Sequence, residues 1–186
     1  PDEGPRVTMD TVLLAAYVRL RSRTDSYFIE LGAATGAVSL MLCLRFALNF
    51  RILGLEIEPE LEALAQRNRF ENDLSEHAAF QCLDLREYRA FEAASFDGLV
   101  VNPPYEEEGR GRQSPVRTVS IARQSSCCGL PDVMEAAAWL LKNKGRFFAV
   151  FRADRMVEFL ALMTGRGIEP KRLRLVHPRF GKRANL

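Results

Sequence analysis

Asn102-Pro103-Pro104-Tyr105 is the segment whose residue types and order most directly offer chemistry. An exocyclic amino nitrogen, as on adenine or a carboxamide, shares its lone pair with the neighbouring π-system. While it stays flat it is a poor nucleophile. Two acceptors aimed at its two N–H bonds draw it toward a tetrahedral shape, and the side-chain oxygen of Asn102 and the main-chain carbonyl of Pro103 are of the right kind. Consecutive prolines fix φ, so the Pro103 carbonyl can stay aimed with little reorganisation as charge develops. Tyr105 adds a face on which an unstacked base can rest, worth about 1–3 kcal/mol in single-strand binders. A rigid strand-ending turn would account for the prolines but not for the Asn and Tyr that flank them.

A second constellation lies earlier. Glu30-Leu31-Gly32-Ala33-Ala34-Thr35-Gly36 has the form of a tight turn after a strand. The dinucleotide pattern G-x-G-x-x-G fails, because positions 34 and 37 are Ala34 and Ala37. The phosphate loop fails as well, because no Lys follows Gly36. Glu56 and Asp84 follow at the ends of two later strand candidates. A carboxylate at Glu56 suits both hydroxyls of a ribose, and one at Asp84 suits the amino group of an adenine ring. Taken singly, acidic residues at strand ends are often helix caps. Together with the glycine turn, the three describe a pocket for an adenosine without phosphates, as in S-adenosylmethionine.

These residues need a scaffold that gathers strand ends. Helical periodicity over Thr11–Arg21 (Leu13, Ala16, Tyr17, Leu20) opens the chain, within a leading helix over about 8–22. Strands are expected at Tyr27–Leu31, Ile52–Ile57, Ala79–Leu85, Phe96–Val101, Arg146–Phe151 and Leu173–Val176. Helices are expected at Thr35–Leu48, after Pro59 (with Leu61, Leu64 and Ala65 on one face), around Val133–Leu141, and around Val157–Thr164 (Val157, Leu160, Ala161). The polar stretch of about 106–126 exceeds a usual connection and is expected to be either functional or mobile. Strand and helix alternating in this way predict an α/β fold: a mostly parallel, doubly wound sheet in one domain over 1–186. Ala184–Leu186 reads as the start of a further, cut-off strand.

Composition narrows the classes. A 47% hydrophobic, 27% charged chain of 186 residues is neither disordered nor a cysteine-stapled miniprotein. No apolar run is long enough to span a membrane, and no basic-then-apolar leader follows Pro1, so secretion has no support. Cys43, Cys82, Cys127 and Cys128 lack zinc spacing, which predicts no metal and reduced thiols of a cytoplasmic protein, with Cys43 and Cys82 as small packing residues. Residues 1–108 carry 10 Lys+Arg against 19 Asp+Glu, whereas 109–186 carry 16 against 5. The basic half points to a polyanionic partner. Arg110, Arg112, Arg117 and Arg123 follow the tetrad, and Lys171, Arg172, Arg174, Arg179, Lys182 and Arg183 cluster near the end.

The Glu-x-Gly turn, Glu56, Asp84 and Asn-Pro-Pro-Tyr resemble those of class I S-adenosylmethionine-dependent methyltransferases acting on a planar amino group, with a Rossmann-like fold. Met9–Ala15, Arg117–Arg123, Glu169–Pro178 and Gly181–Asn185 are similar to segments of the bacterial family that methylates the adenine beside the anticodon of a valine tRNA. The resemblance implies S-adenosylmethionine as cofactor, held by Asp10, Glu30, Gly32, Gly36, Glu56, Asp84 and Asn102. It implies Asn102, Pro103 and Tyr105 as catalytic residues, and Pro104, Tyr105, Arg110, Arg112, Arg117 and Arg123 at an RNA substrate. The chain departs from the family at Ala34, where a glycine is usual, at Gln124-Ser125, where His-Glu is usual, and at Phe151, where a His is usual. The tetrad also suits a protein glutamine, as in release-factor methyltransferases. A non-catalytic RNA-binding subunit is the third reading, favoured only by Ala34.

Overall fold

The computed structural model describes residues 6–20, 25–46, 49–103 and 128–186. In chain order these form α1 (Met9–Tyr17), β1 (Ser26–Leu31), α2 (Ala37–Phe46), β2 (Phe50–Glu56), α3 (Pro59–Glu71), β3 (Ala78–Cys82), β4 (Phe96–Val101), α4 (Leu130–Leu140), β5 (Leu141–Ala149) and α5 (Met156–Gly165). Short 3₁₀ turns lie at Leu85–Ala90 and Ala153–Arg155. The strands make one parallel sheet in the order β3-β2-β1-β4-β5.

The two faces of the sheet follow the two-residue period of the strands. Phe28, Ile52, Phe80 and Val100 point to one side and pack with Leu14 of α1, Val38 and Leu42 of α2, and Ala65 of α3. Ile29, Leu31, Leu53, Leu55, Leu99 and Val101 point to the other and meet Val133, Ala137 and Leu140 of α4. A smaller cluster joins Leu130 and Met134 of α4 to Phe159 and Met163 of α5. Burying each such side chain contributes roughly 1.5–3 kcal/mol.

Two glycines inside strands make room for rings. A Cβ on Gly54 would meet Phe80 at 2.5 Å, and one on Gly98, which pairs with Phe28 across β1 and β4, would lie within the Phe28 ring's van der Waals envelope.

Several sequence expectations are corrected. The leading helix stops at Tyr17, and it buries Leu14 and Ala15 instead of the Leu13–Ala16–Tyr17 face, with Ala16 exposed. Its end is set from a distance: the Arg45 guanidinium donates to the carbonyls of Ala15 (2.7 Å), Ala16 (3.1 Å) and Val18 (3.1 Å). The third strand ends at Cys82, so Leu85 belongs to a 3₁₀ turn. The fifth begins at Leu141 and ends at Ala149, with an irregular register between Phe96 and Gly98. On α5 the buried residues are Phe159 and Met163, while Val157 is 78% exposed. Leu173–Val176 forms no strand. Leu173 and Leu175 are exposed, and only Val176 pairs, with Asn185 and Leu186. Cys82 is exposed, whereas Cys43 is buried as expected, and its thiol is pushed up to about 12 by burial and by Glu30.

Candidate cofactor and amine site

The strand order reverses between β1 and β4, so the carboxyl ends of β2, β1 and β4 meet at a switch point, where open α/β sheets hold ligands. Register puts the key residues at one level there. Leu31 pairs with Leu55 on one side and with Val101 on the other, so Glu56, Gly32 and Asn102 come next together. At the usual strand spacing, Glu56 and Asn102 lie about 10 Å apart across the turn.

The turn is shaped by hydrogen bonds. Ala33 N–H donates to Leu55 O (2.8 Å), Gly36 N–H to Ala33 O (2.8 Å), and the Asn68 amide to Thr35 O (3.0 Å). Gly32 (φ +71°) and Gly36 (φ +78°) occupy left-handed conformations. A Cβ on Gly32 would have nothing within 4 Å, leaving open space beside the backbone, while one on Gly36 would strike the Phe80 ring. Ala34 also lies in the left-handed region, at φ +48°. An alanine therefore stands where the backbone favours glycine.

The three acidic residues have distinct environments. Glu56 is 5% exposed, and its carboxylate accepts from Ala34 N–H (2.7 Å) and Glu58 N–H (3.0 Å). It is thereby locked to the turn with capacity left on both oxygens for a diol. Glu30 is 3% exposed and accepts from the Ser39 N–H (3.0 Å) and hydroxyl (2.5 Å). Burial pushes its carboxyl up to about 8 against those two hydrogen bonds, with the Glu56 charge adding to the rise. Asp84 lies beside Glu56, because Leu83 N–H donates to Glu56 O (2.9 Å). It caps the 3₁₀ turn through Arg86 N–H (2.9 Å) and pairs with the Arg86 guanidinium through both oxygens. The Arg86 hydrogen bonds hold its carboxyl below the usual range.

Asn102 is half-buried and Pro103 buried at the end of β4, and Asp10 sits in the first turn of α1. Pro104, Tyr105, Arg110, Arg112, Arg117 and Arg123 lie outside the described residues, as do Gln124 and Ser125. Phe151 turns away into the third cluster and stacks on Phe159 at 4.6 Å, so its aromatic ring serves packing. Sequence reasoning missed Ser39, Asn68 and Arg86. Ser39 carried a faint signal as a lone hydroxyl in the apolar run 37–44.

A cavity of about 1170 Å³ opens elsewhere, between α1, β5, α5 and the C-terminal segment, and it touches none of Glu30, Glu56, Asp84 or Asn102. Among the described residues, no cluster of His, Cys, Asp and Glu fits a metal ion, and no helix is long and apolar enough to cross a membrane.

No protein-family model matches the chain. It is 29% identical over 145 residues to a protein of Enterobacter sp. named tRNA1(Val) (adenine(37)-N6)-methyltransferase, covering 78% of this chain and 58% of that one. The protein of the same name from Actinobacillus pleuropneumoniae is 31% identical over 155 residues, covering 82% and 63%. The chain thus spans about three fifths of the length of these relatives. Among solved structures, a predicted O-methyltransferase of Agrobacterium tumefaciens superposes with a TM-score of 0.70 at 19% identity, covering 95% of this chain and 77% of that one. An S-adenosylmethionine-dependent O-methyltransferase of Thermotoga maritima gives 0.62 at 18%, covering 88% and 51%. The chain accordingly has the Rossmann-like class I methyltransferase fold and is similar in sequence to the bacterial tRNA1(Val) adenine-N6 methyltransferases.

Proposed function

We propose that this chain, acting as one methyltransferase domain, transfers a methyl group from S-adenosylmethionine to the exocyclic amino group of an adenine in RNA, in a tRNA near its anticodon. The observation that carries this reading is the level shared by Glu56, Gly32 and Asn102 at the switch point, with an adenosine-type carboxylate on one side and the first residue of the amine-type tetrad on the other. Relatives named for tRNA adenine methylation support the choice of target.

The residues fit such a cofactor. Gly32 leaves the backbone open to close approach, and Glu56 is fixed for a ribose diol. Glu30, buried behind the turn, sets its position through Ser39. Gly36 lets the turn close over Phe80, and Asp10 closes the methionine end. Asp84 meets the adenine ring through an oxygen it shares with Arg86. When bound, S-adenosylmethionine supplies an electrophilic methyl on a sulfonium.

The chain's part in the reaction is positional. Asn102 and the Pro103 carbonyl accept the two N–H bonds of the target amine. Pro104 and Tyr105 support the ring, and Arg110, Arg112, Arg117 and Arg123 meet phosphates. With the amine held by Asn102 and the Pro103 carbonyl, a bound S-adenosylmethionine would supply the methyl and keep the C–S electron pair on its sulfur, and the acidified N–H proton would pass to solvent. No strong base is required. A tRNA target and reduced thiols together favour the cytoplasm.

The test is incubation of the full chain with labelled S-adenosylmethionine and unmodified bulk tRNA, followed by mass spectrometry of the nucleosides. N6-methyladenosine is the expected product. Label on release factor and none on RNA would overturn the reading. Asn102→Ala should lower turnover at least ~100-fold while cofactor affinity, measured by calorimetry, stays within a few-fold. Equal losses would make Asn102 chiefly a cofactor ligand.

A further inference from the structure

The C-terminal segment folds into a small hairpin that the site just described does not use. Val176 N–H donates to Leu186 O (2.8 Å) and Asn185 N–H to Val176 O (3.0 Å), closing its base. His177 Nδ1 lies 2.7 Å from Lys182 O, and Lys182 N–H donates to Arg179 O (3.1 Å), closing a four-residue turn at the tip. Gly181, third in that turn, has φ +72°, the conformation a type II turn demands there. The second position is Phe180, and its ring is wholly exposed, at 107% of the reference area. Arg179, Lys182 and Arg183 flank it, and no acidic residue occurs from 170 to 186.

A large aromatic held in water at the tip of a hydrogen-bonded turn joins none of the hydrophobic clusters formed by the described residues. Between cations it has the makeup of a single-strand platform: a π-face for a base, with charges for the phosphates on either side. The hairpin also stands at the right end of the sheet. Ala153 N–H donates to Asn185 O (3.1 Å). Ala149, whose partner Val101 precedes Asn102, lies only four residues before Ala153, at most about 14 Å of chain. The segment leading into the hairpin is tied to α1, with the Tyr17 hydroxyl donating to Arg172 O (3.2 Å) and the Arg174 guanidinium 5.2 Å above the Tyr17 ring. The tip is therefore displayed from a braced base on the carboxyl side of the sheet.

We propose that this turn is a second RNA contact: Phe180 stacks on an unpaired nucleotide outside the reacting one, and Arg179, Lys182 and Arg183 hold the adjoining phosphates. The inference rests on the RNA reading above and adds to it the surface that grips the strand.

The test is fluorescence anisotropy of the full chain against two probes, fluorescein-labelled unmodified tRNA and a labelled 12-nucleotide oligoadenylate, across 50–200 mM salt. Phe180→Ala should weaken both about 5- to 100-fold. Phe180→Leu, apolar but without a π-face, should behave like alanine, and Phe180→Trp should stay within about twofold of the parent. Arg179→Ala should flatten the log–log salt slope by about 0.7–0.9. All four positions are exposed, so melting temperatures should hold, and circular dichroism checks this. If the parent binds both probes and Phe180→Ala binds them equally well, the contact is refuted while the RNA reading stands. If the parent binds neither probe and methylates no RNA, the RNA reading has itself failed. Loss of self-association in Phe180→Ala by sedimentation, with RNA affinity unchanged, would make the tip a protein contact and also overturn the proposal.

Discussion

Ala34 adopts φ +48° in the turn between β1 and α2, beside the candidate site. Left-handed conformations cost an L-residue roughly 1–2 kcal/mol, and glycine recovers most of that at some expense in unfolded-state entropy. Ala34→Gly is therefore expected to stabilise the protein by about 0.5–1 kcal/mol, a rise of roughly 1–4 °C in melting temperature for a chain of this size. A fall in melting temperature would mean that the Ala34 methyl packs usefully. Glu30 makes the opposite kind of trade. Its carboxyl is near 4.5 when free and about 8 in the fold, so the folded state binds the extra proton between those values. Its contribution is complete below pH 4.5 and is lost as pH rises through 8. Melting temperature should decline over pH 5–8.5 by an amount equivalent to a few kcal/mol. Glu30→Gln, which keeps an acceptor for Ser39 but cannot ionise, should flatten that decline. An unchanged profile would show that Glu30 is ionised throughout.

Among the elements, β4 was readable in the sequence because Phe96–Val101, apolar apart from Asp97 and Gly98, runs straight into Asn102 and the prolines that end it. The buried face of α1 was not readable, because Leu14 and Ala15 are buried against α2 and the sheet, partners that the period of the helix does not name. Leu173–Val176 has the composition of a strand, but apolar residues do not announce whether a partner strand will lie beside them. The candidate site divides the same way. The glycine turn and Glu56 follow from spacing alone. The Glu30–Ser39 and Asp84–Arg86 pairs depend on side-chain geometry that spacing does not encode. Strand glycines were equally silent, although Gly98 determines how closely β1 and β4 approach. Gly98→Ala should clash with Phe28, costing about 1–3 kcal/mol in denaturant unfolding. Phe28→Leu in the same chain should recover part of that loss, since the two positions face each other. Simple additivity would show that the ring yields without help from Gly98.

At the scale of the molecule, topology converts a charge asymmetry along the sequence into one across the sheet. The first three strands occupy one side of the order β3-β2-β1-β4-β5 and the later elements the other. The acidic residues of α3 (Glu60, Glu62, Glu71) thus lie toward the β3 edge. Arg146, Arg152, Arg172 and Arg174 line the cavity at the β5 edge, where Glu169 is the one acidic residue of the described lining and Arg152 pairs with Asp154. A polyanion approaching such a molecule meets opposite fields at its two edges, and charges more than a Debye length of about 8–10 Å away are screened at ordinary salt. Reversals at the two edges should therefore have unequal effects on tRNA affinity. Arg172→Glu with Arg174→Glu is expected to weaken binding at least tenfold at 100 mM salt and to lower the salt slope. Glu60→Lys with Glu62→Lys should change it less than about twofold. Gains at the α3 edge as large as the losses at the β5 edge would mean that net charge, not the polarity built by the strand order, governs the encounter.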